Sequence, residues 1–330
     1  MLAILYLLSL LPICLFVAVL LWMDSFALAS WKRLAYTALL GALACTIVVL
    51  PWRRYDGWGY FLVDPFVQET MKGIIVFMMI RFRKIALFGD ATIYGASVGA
   101  GFAVLENILF LTVHPTIEPM EAIMRGFEAA VMHIGTTTTL ALMLIMAWQG
   151  RFGQTNARKY LAVVIAFLLA TLIHFLHNTL PIPEIVMTGG LIVYFLISKR
   201  SLFKKNNRFI HEWIDDCINN EVALLSSMKR GEFASTNAGQ YLLTLKDSFN
   251  GEVFFDMCCY ITEYLELSIS AKSNLILRSA GMPVQPNPEN RAKIAELRAL
   301  KKRIGRTGER ALEPIVRIRD VDKWVVDSLI

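Results

Sequence analysis

Seven stretches of mainly apolar residues follow one another in the first 200 residues of the chain. An α-helix needs about 20 such residues to cross the hydrocarbon core of a bilayer, because each residue adds only about 1.5 Å to its length. The stretches cover residues 2–22, 34–51, 59–80, 91–113, 127–148, 160–180 and 185–198, of which the last is the shortest. This pattern predicts an all-α fold, a polytopic transmembrane helical bundle of about seven spans.

The remainder of the chain has a different composition. Residues 1–200 carry 14 Lys and Arg and 10 Asp and Glu, whereas the shorter part 201–330 carries 19 and 17. In residues 211–229 the apolar side chains recur at helical spacing between polar ones, which is typical of an amphipathic helix in water. We therefore expect a transmembrane domain over residues 1–200 and a helical cytoplasmic domain over residues 201–330.

Basic residues accumulate in alternate loops between the apolar stretches. They follow the first, third, fifth and seventh stretches, whereas the intervening loops hold few basic residues, with Arg53 and Arg54 as a mild exception. Because Lys and Arg mark cytoplasmic loops, this distribution predicts a multi-pass cell-membrane protein with its N-terminus outside and its C-terminus in the cytoplasm.

Charge also limits the partners of this chain. The two parts have net charges of +4 and +2, and neither has the dense basic surface that is typical of a nucleic-acid-binding protein. We expect no nucleic-acid partner. The lipid bilayer is the expected surrounding of residues 1–200, and a cytoplasmic partner is a hypothesis for residues 201–330.

Polar and ionisable side chains lie inside four of the apolar stretches. A charged residue in a membrane span costs about 2.5–3.5 kcal/mol on insertion scales, so each one calls for a partner or a function. They are Asp64, Glu69 and Lys72 in the third stretch, Glu106 and Asn107 in the fourth, Glu128 and His133 in the fifth, and His174, His177 and Asn178 in the sixth. This concentration predicts a polar site within the bundle.

Spacing indicates which of these side chains share a helix face. Glu69 and Lys72 are three residues apart, which predicts an ion pair that orients the carboxylate. His174 and Asn178 are four apart and can face a common cavity, with the histidine as base, ligand or proton shuttle and the asparagine as hydrogen-bond donor. The threonine run 136–139 predicts a polar stripe that bonds the backbone of its own helix.

Glu106 has no basic residue within one turn on its own stretch, so we expect its partner on another helix, either His133 or His174. Peptide hydrolysis needs a base that activates water, donors that stabilise the oxyanion and a proton for the leaving amine. Glu69 or Glu106 is a candidate base, and histidine and asparagine side chains, including Asn107, are candidate donors. The same residue types bind Zn²⁺ or another divalent metal, with Glu106, His133 and His174 as candidate ligands.

Four ordered blocks of sequence together carry a resemblance to a known family. Residues 65–72 are similar to a P-x-x-E-E-x-x-K motif, and residues 90–107 are similar to a block that centres on F-x-x-x-E-N. Arg125 and His133 stand where a third block has an arginine and a histidine, and residues 170–178 contain the H-x-x-x-N core of a last block. With these four blocks, residues 65–178 resemble the PrsW family of intramembrane proteases, and the resemblance excludes the C-terminal part.

The resemblance implies a membrane-embedded endopeptidase that cleaves membrane-anchored proteins and is distantly like the CAAX prenyl proteases. It implies that Glu69, Lys72, Glu106, His133 and the H-x-x-x-N pair are site residues, and it leaves open whether a glutamate acts alone or with a metal.

One position departs from the family pattern, because Gln68 stands where the motif has its first glutamate. Glutamine cannot act as a general base. The chain is therefore either an enzyme that relies on Glu69 or Glu106, or a pseudoprotease that binds a membrane partner without cutting it. A proton-coupled transporter is a further alternative, since carboxylates and histidines in spans also form proton relays.

Overall fold

The computed structural model describes residues 2–22, 30–52, 58–82, 84–85, 87–148, 155–179, 184–284, 287–316, 322, 325–326 and 329. The described residues form helices and turns and contain no strand, which confirms the all-α prediction. The helices are α1 (Leu2–Trp22), α2 (Trp31–Trp52), α3 (Trp58–Arg81), α4 (Phe88–Val113), α5 (Pro119–Ala129), α6 (Gly135–Trp148), α7 (Asn156–Thr179), α8 (Glu184–Lys229), α9 (Asn237–Thr244), α10 (Gly251–Ser279) and α11 (Glu289–Ala311). A π-helical segment, Ala130–Ile134, joins α5 to α6.

The chain divides into two compact units, Met1–Asn206 and Asn207–Ile330. The change of unit falls within α8, close to the compositional change at residue 201. A separate role for each unit remains a prediction.

Five helical segments among the described residues are long and apolar enough to cross a membrane. They are Leu2–Trp22, Trp31–Val49, Phe88–Val113, Pro119–Trp148 and Ala157–Thr179. The predicted fifth stretch is thus longer than expected, because the helix begins at Pro119 and continues through the π-helical segment. The chain is an integral, multi-pass membrane protein, and the total of seven spans remains a prediction.

The third and seventh predicted stretches are not among these five segments, for different reasons. Every 18-residue part of α3 contains three charged residues, Asp64, Glu69 and Lys72, which lowers its apolar character. Residues 185–198 belong to α8, and most of their side chains lie outside the described part of the chain.

Helix α3 has its polar residues on the buried face and apolar residues on the exposed face. Glu69 and Lys72 are fully buried, whereas Phe66, Ile74 and Met78 are exposed. This is the reverse of an amphipathic helix in water, where the apolar stripe faces the core. It fits a helix whose outer face meets lipid and whose polar face meets α4, α6 and α7; α3 packs against α2 as well.

Helix α4 lies at the centre of the first unit, and residues 88–103 are buried throughout. Its neighbours come close because glycine replaces larger side chains at the contacts. A Cβ atom on Gly99 would clash with the backbone carbonyl of His133, and one on Gly101 would clash with that of Ala38 in α2. Gly99 therefore places α4 directly against the π-helical segment and Gly101 places it against α2, as is typical of close helix packing in membranes.

The second unit has its own apolar core. Met257, Ile261 and Leu265 of α10 pack with residues such as Ile294 and Leu300 of α11. Helix α10 begins after Asn250, whose side chain accepts a hydrogen bond from the Val253 amide, an ordinary N-cap.

A buried lysine lies beside this core. The Lys272 ammonium is fully buried, donates to Glu221 at 2.5 Å, and lies 3.6 Å from an Asp322 carboxylate oxygen. Glu221 belongs to α8, so this ion pair fixes α8 against α10 within the second unit.

Candidate active site

Helix α3 supplies a carboxylate and an ammonium group from adjacent turns of one buried face. The Lys72 Nζ donates to Glu69 Oε1 at 2.6 Å, and both side chains are fully buried. The ion pair predicted from the three-residue spacing is confirmed. Because neither group reaches solvent, their attraction is not weakened by water or salt.

The Glu69 carboxylate receives donors from two further helices. Its Oε1 is 2.8 Å from His174 Nδ1 in α7 and 3.1 Å from Thr136 Oγ1 in α6, which donates to it. The other oxygen, Oε2, is buried and has no hydrogen-bond partner among the described residues. A buried carboxylate oxygen without a partner is costly, so it indicates a position for water, a metal or substrate.

His133 connects this carboxylate to a second one. Its Nδ1 is 3.0 Å from Lys72 Nζ, and its Nε2 is 2.6 Å from Glu106 Oε2. An ammonium group can only donate, so Nδ1 accepts and Nε2 carries the proton that is donated to Glu106. Of the two partners predicted for Glu106, the structure selects His133. The Glu106 side chain is 20% exposed, which makes it the accessible end of the chain of contacts.

The π-helical segment lies at this site. A π-turn inserts one extra residue, which rotates the residues that follow by about 100° relative to a regular α-helix. His133 lies inside the segment and Thr136 lies directly after it. Both side chains reach the α3 ion pair, as residues three apart on one helix face can. Such single π-turns occur frequently at functional sites.

An aromatic ring covers the inner side of the ion pair. The Lys72 Nζ is 5.0 Å from the centroid of the Phe102 ring, and the His133 ring lies 4.8 Å from the same ring. Phe102 is fully buried in α4. It shields the charges from the rest of the bundle and contributes a cation–π contact.

Three of these residues form a group that fits a metal ion. One donor atom from each of Glu69, His133 and His174 lies within 4.8 Å of the other two. Two histidines and one glutamate with a free fourth position are a known ligand set of catalytic zinc. The Glu69 oxygen that lacks a described partner agrees with this chemistry.

The metal prediction named Glu106 instead of Glu69, and the geometry gives Glu106 a different place. Its carboxylate accepts the Nε2 proton of His133, as an outer carboxylate does when it orients a histidine ligand. The Lys72 ammonium contacts two of the three clustered side chains, those of Glu69 and His133.

Two asparagines of the predicted site do not contact this cluster through their described hydrogen bonds. Asn178 is exposed, and its Oδ1 lies 3.5 Å from His177 Nδ1. Asn107 is fully buried, and neither polar atom of its amide has a hydrogen-bond partner among the described residues. Their roles remain predictions.

Two contacts of the site do not follow from the sequence patterns. The threonine run predicts bonds within its own helix, as Thr138 makes with the Ile134 carbonyl, yet Thr136 also donates to Glu69. Asp64 stands out as a charge in a span, but its bond with Gln68 is seen only in the structure. The four-residue spacing is the signal in the sequence that could have indicated that pair.

The fold and the site define an integral membrane protein whose helices enclose a network of carboxylate, ammonium and imidazole groups. The family described as PrsW family intramembrane metalloprotease matches residues 25–199, and the chain belongs to this family. Protease PrsW of Bacillus subtilis (strain 168) is 28% identical over 146 residues, which cover 40% of this chain and 63% of that protein. The chain therefore spans less than two thirds of this relative's length. No solved structure matches it significantly.

Proposed function

We propose that this protein is an intramembrane endopeptidase that hydrolyses peptide bonds of membrane-anchored protein substrates. The observation that carries the proposal is the Glu69 carboxylate. It is fully buried among apolar helices, it is held on one oxygen by Lys72 and His174, and its other oxygen lacks a hydrogen-bond partner among the described residues. A purely structural ion pair has no need to leave one carboxylate oxygen without a partner.

In the proposed reaction Glu69 accepts a proton from water, and the oxygen of that water attacks the carbonyl carbon of the scissile bond. The proton then passes to the leaving amine. Lys72 orients the carboxylate, and the positive charge of Lys72, with His174 beside it, stabilises the negative charge that develops on the carbonyl oxygen. Loss of such a donor costs about 2.7–4 kcal/mol of transition-state stabilisation.

The donor set also supports a metal-dependent form of this reaction. Glu69, His133 and His174 would hold Zn²⁺ or a related divalent ion, and Glu106 would orient His133. Such an ion supplies an activated water and polarises the carbonyl group.

The peptidase proposal is tested with the purified full chain in proteoliposomes that contain a panel of single-span, membrane-anchored reporter proteins. We expect the natural chain to cleave at least one reporter and Glu69→Gln to lower the rate at least 100-fold. The matched control is Glu121→Gln, which changes an exposed glutamate of α5 and should leave the rate unchanged. Equal rates for Glu69→Gln and the natural chain would exclude Glu69 as the base.

Metal analysis of the same purified protein tests the ligand set separately. We expect close to one divalent ion per chain, and His133→Ala and His174→Ala should each lose it. His114→Ala is the control, because His114 is exposed and its ring contacts Phe110 outside the cluster. Full cleavage by protein that carries no metal would support the metal-free form.

A second candidate function is a pseudoprotease that binds a membrane-anchored protein without cutting it. Gln68 favours it, since the family motif has a glutamate at this position. If the natural chain binds reporters and leaves them intact, and Gln68→Glu creates cleavage, then this second function is correct. In either case we propose that the second unit, which the family does not cover, contacts a cytoplasmic partner and that the N-terminus lies outside.

A further inference from the structure

A carboxylate and a carboxamide form a buried pair next to Glu69. Gln68 Nε2 donates to Asp64 Oδ2 at 2.7 Å, from one turn of α3 to the next. Gln68 is 3% exposed and Asp64 is 6% exposed. Asp64 lies within electrostatic range of His174, Lys72 and Glu106, so the pair is part of the same polar region.

This contact fixes the orientation of the Gln68 amide. Nε2 of Gln68 is the donor in this contact, so the NH₂ group of the amide faces Asp64. The oxygen of the amide then points away from Asp64.

The oxygen that points away has nothing to bond with in the described part of the chain. Gln68 Oε1 is buried and has no hydrogen-bond partner there. Leaving such a buried acceptor without a donor is unfavourable. The Asp64–Gln68 pair therefore holds a neutral acceptor in place, one residue before the proposed base, for a donor that comes from elsewhere.

A substrate of the proposed peptidase brings such donors. A membrane-spanning helix satisfies its own backbone N–H groups, and it must unwind locally before a base can reach a peptide bond. The N–H groups released in this way need acceptors inside the membrane, because each unsatisfied one costs several kcal/mol.

We propose that Gln68 Oε1 accepts a hydrogen bond from a backbone N–H of the unwound substrate, and that Asp64 is the positioning residue that orients the amide. The assignment rests on the proposed function for the identity of the donor. It also explains why glutamine, and not the glutamate of the family motif, stands at this position. A glutamate in the same place would put two carboxylates in contact at 2.7 Å, and like charges at that distance repel.

The test measures binding, so that it does not depend on cleavage. The probes are synthetic single-span peptides with an apolar segment of about 20 residues, in which one backbone N–H at a time is replaced by an ester oxygen. Their affinity for the full chain in proteoliposomes is measured by fluorescence energy transfer. We expect one ester position to weaken binding to the natural chain about tenfold, which is typical of one lost neutral hydrogen bond.

Variants of Gln68 identify the acceptor. Gln68→Met keeps the length of the side chain and removes the amide, so it should bind the unmodified peptide about tenfold more weakly and show no further loss with the sensitive ester. Gln240→Met makes the same change at an exposed position of α9 and should alter neither value. In Asp64→Asn the amide is no longer held in one orientation, so the effect of the ester should shrink.

A double variant reverses the polarity of the pair. In Asp64→Asn with Gln68→Glu, the new amide donates to the new carboxylate, whose second oxygen is again an acceptor. We expect Gln68→Glu alone to lose the ester sensitivity, because its carboxylate is repelled by Asp64, and we expect the double variant to recover it.

Two results would overturn the inference. One is an ester loss in Gln68→Met as large as in the natural chain, which would mean that the N–H bonds another group. The other is the absence of any sensitive ester position, or of any peptide binding. Failure of the proposed function is a separate result, since a chain that binds the peptides through Gln68 but cleaves none of them is the pseudoprotease.

Discussion

The ion pair between Glu69 and Lys72 gives the most direct test of how the site contributes to stability. Lys72→Met removes the ammonium and keeps most of the side-chain length. Both groups are fully buried and 2.6 Å apart, so no discount for solvent screening applies. Removing one partner of a buried pair costs about 3–5 kcal/mol.

The surroundings of Glu69 place the expected loss of stability at the lower end of this range. Glu69 keeps His174 and Thr136 as hydrogen-bond partners after the lysine is removed. The unfolded state in a membrane also offers partners to polar groups, which lowers the net value of a bond. We therefore expect Lys72→Met to reduce the free energy of unfolding by about 3 kcal/mol.

A double-mutant cycle separates this interaction from other effects of the substitutions. The four proteins are the natural chain, Glu69→Gln, Lys72→Met and the double variant, unfolded in mixed detergent micelles and followed by tryptophan fluorescence. We expect a coupling free energy of about 2 kcal/mol, since the two groups contact each other directly. Lys32→Met is the control, because Lys32 is exposed in α2 and its loss should change stability by less than about 0.5 kcal/mol.

Additive effects in this cycle would refute the reasoning. If the coupling is below about 0.5 kcal/mol, the two residues do not stabilise each other in the folded protein. The same conclusion follows if Lys72→Met is no more destabilising than Lys32→Met.

Two further predictions concern packing and the second unit. Gly99→Ala should reduce the free energy of unfolding by about 1–3 kcal/mol, because its Cβ would clash with the His133 carbonyl. Gly190→Ala in α8 is the control and should not reduce it, because the Cβ there meets open space. Equal unfolding midpoints for the two variants would contradict the prediction. Lys272→Met should destabilise the second unit by about 3 kcal/mol, because it leaves the Glu221 carboxylate without its buried ammonium partner. Hydrogen exchange should then rise in α10 and stay unchanged in α4; unchanged exchange in α10 would contradict the prediction.

The sequence is sufficient to find most residues of the site. Charged and imidazole groups within apolar stretches are rare because they are costly there, so Glu69, Lys72, Glu106, His133 and His174 stand out from the apolar pattern alone. Five of the predicted apolar stretches correspond to helices that are long and apolar enough to span a membrane. Both results depend on composition along the chain, which the sequence contains directly.

The partners of these residues are harder to predict, because they depend on the rotation and depth of each helix. Glu106 has two possible histidine partners by sequence, and it contacts His133 because Gly99 brings α4 against the π-helical segment. Thr136, which lies directly after that segment, donates to Glu69 on another helix. The residue pattern does not indicate which helix Thr136 faces, so the sequence does not predict this contact.

Asn178 and Gln68 are two further residues whose contacts cannot be predicted from the sequence. The four-residue spacing places Asn178 on the face of His174, but it lies one turn further along α7 and is exposed. The sequence alone indicates only that Gln68 stands where the family motif has a glutamate. Its bond to Asp64 adds a second interpretation, in which the amide is held as an acceptor for the substrate.

The sequence by itself determined that this chain is a helical membrane protein with a buried ionisable site, because hydropathy and the cost of charge in lipid act on each helix separately. Only the tertiary structure decided which groups meet. It joined Glu69 to His174, placed Glu106 behind His133 and turned the Gln68 oxygen away from Asp64. These contacts join different helices or different turns of one helix, and they depend on helix packing distances of a few ångströms that close glycine contacts and one π-turn establish.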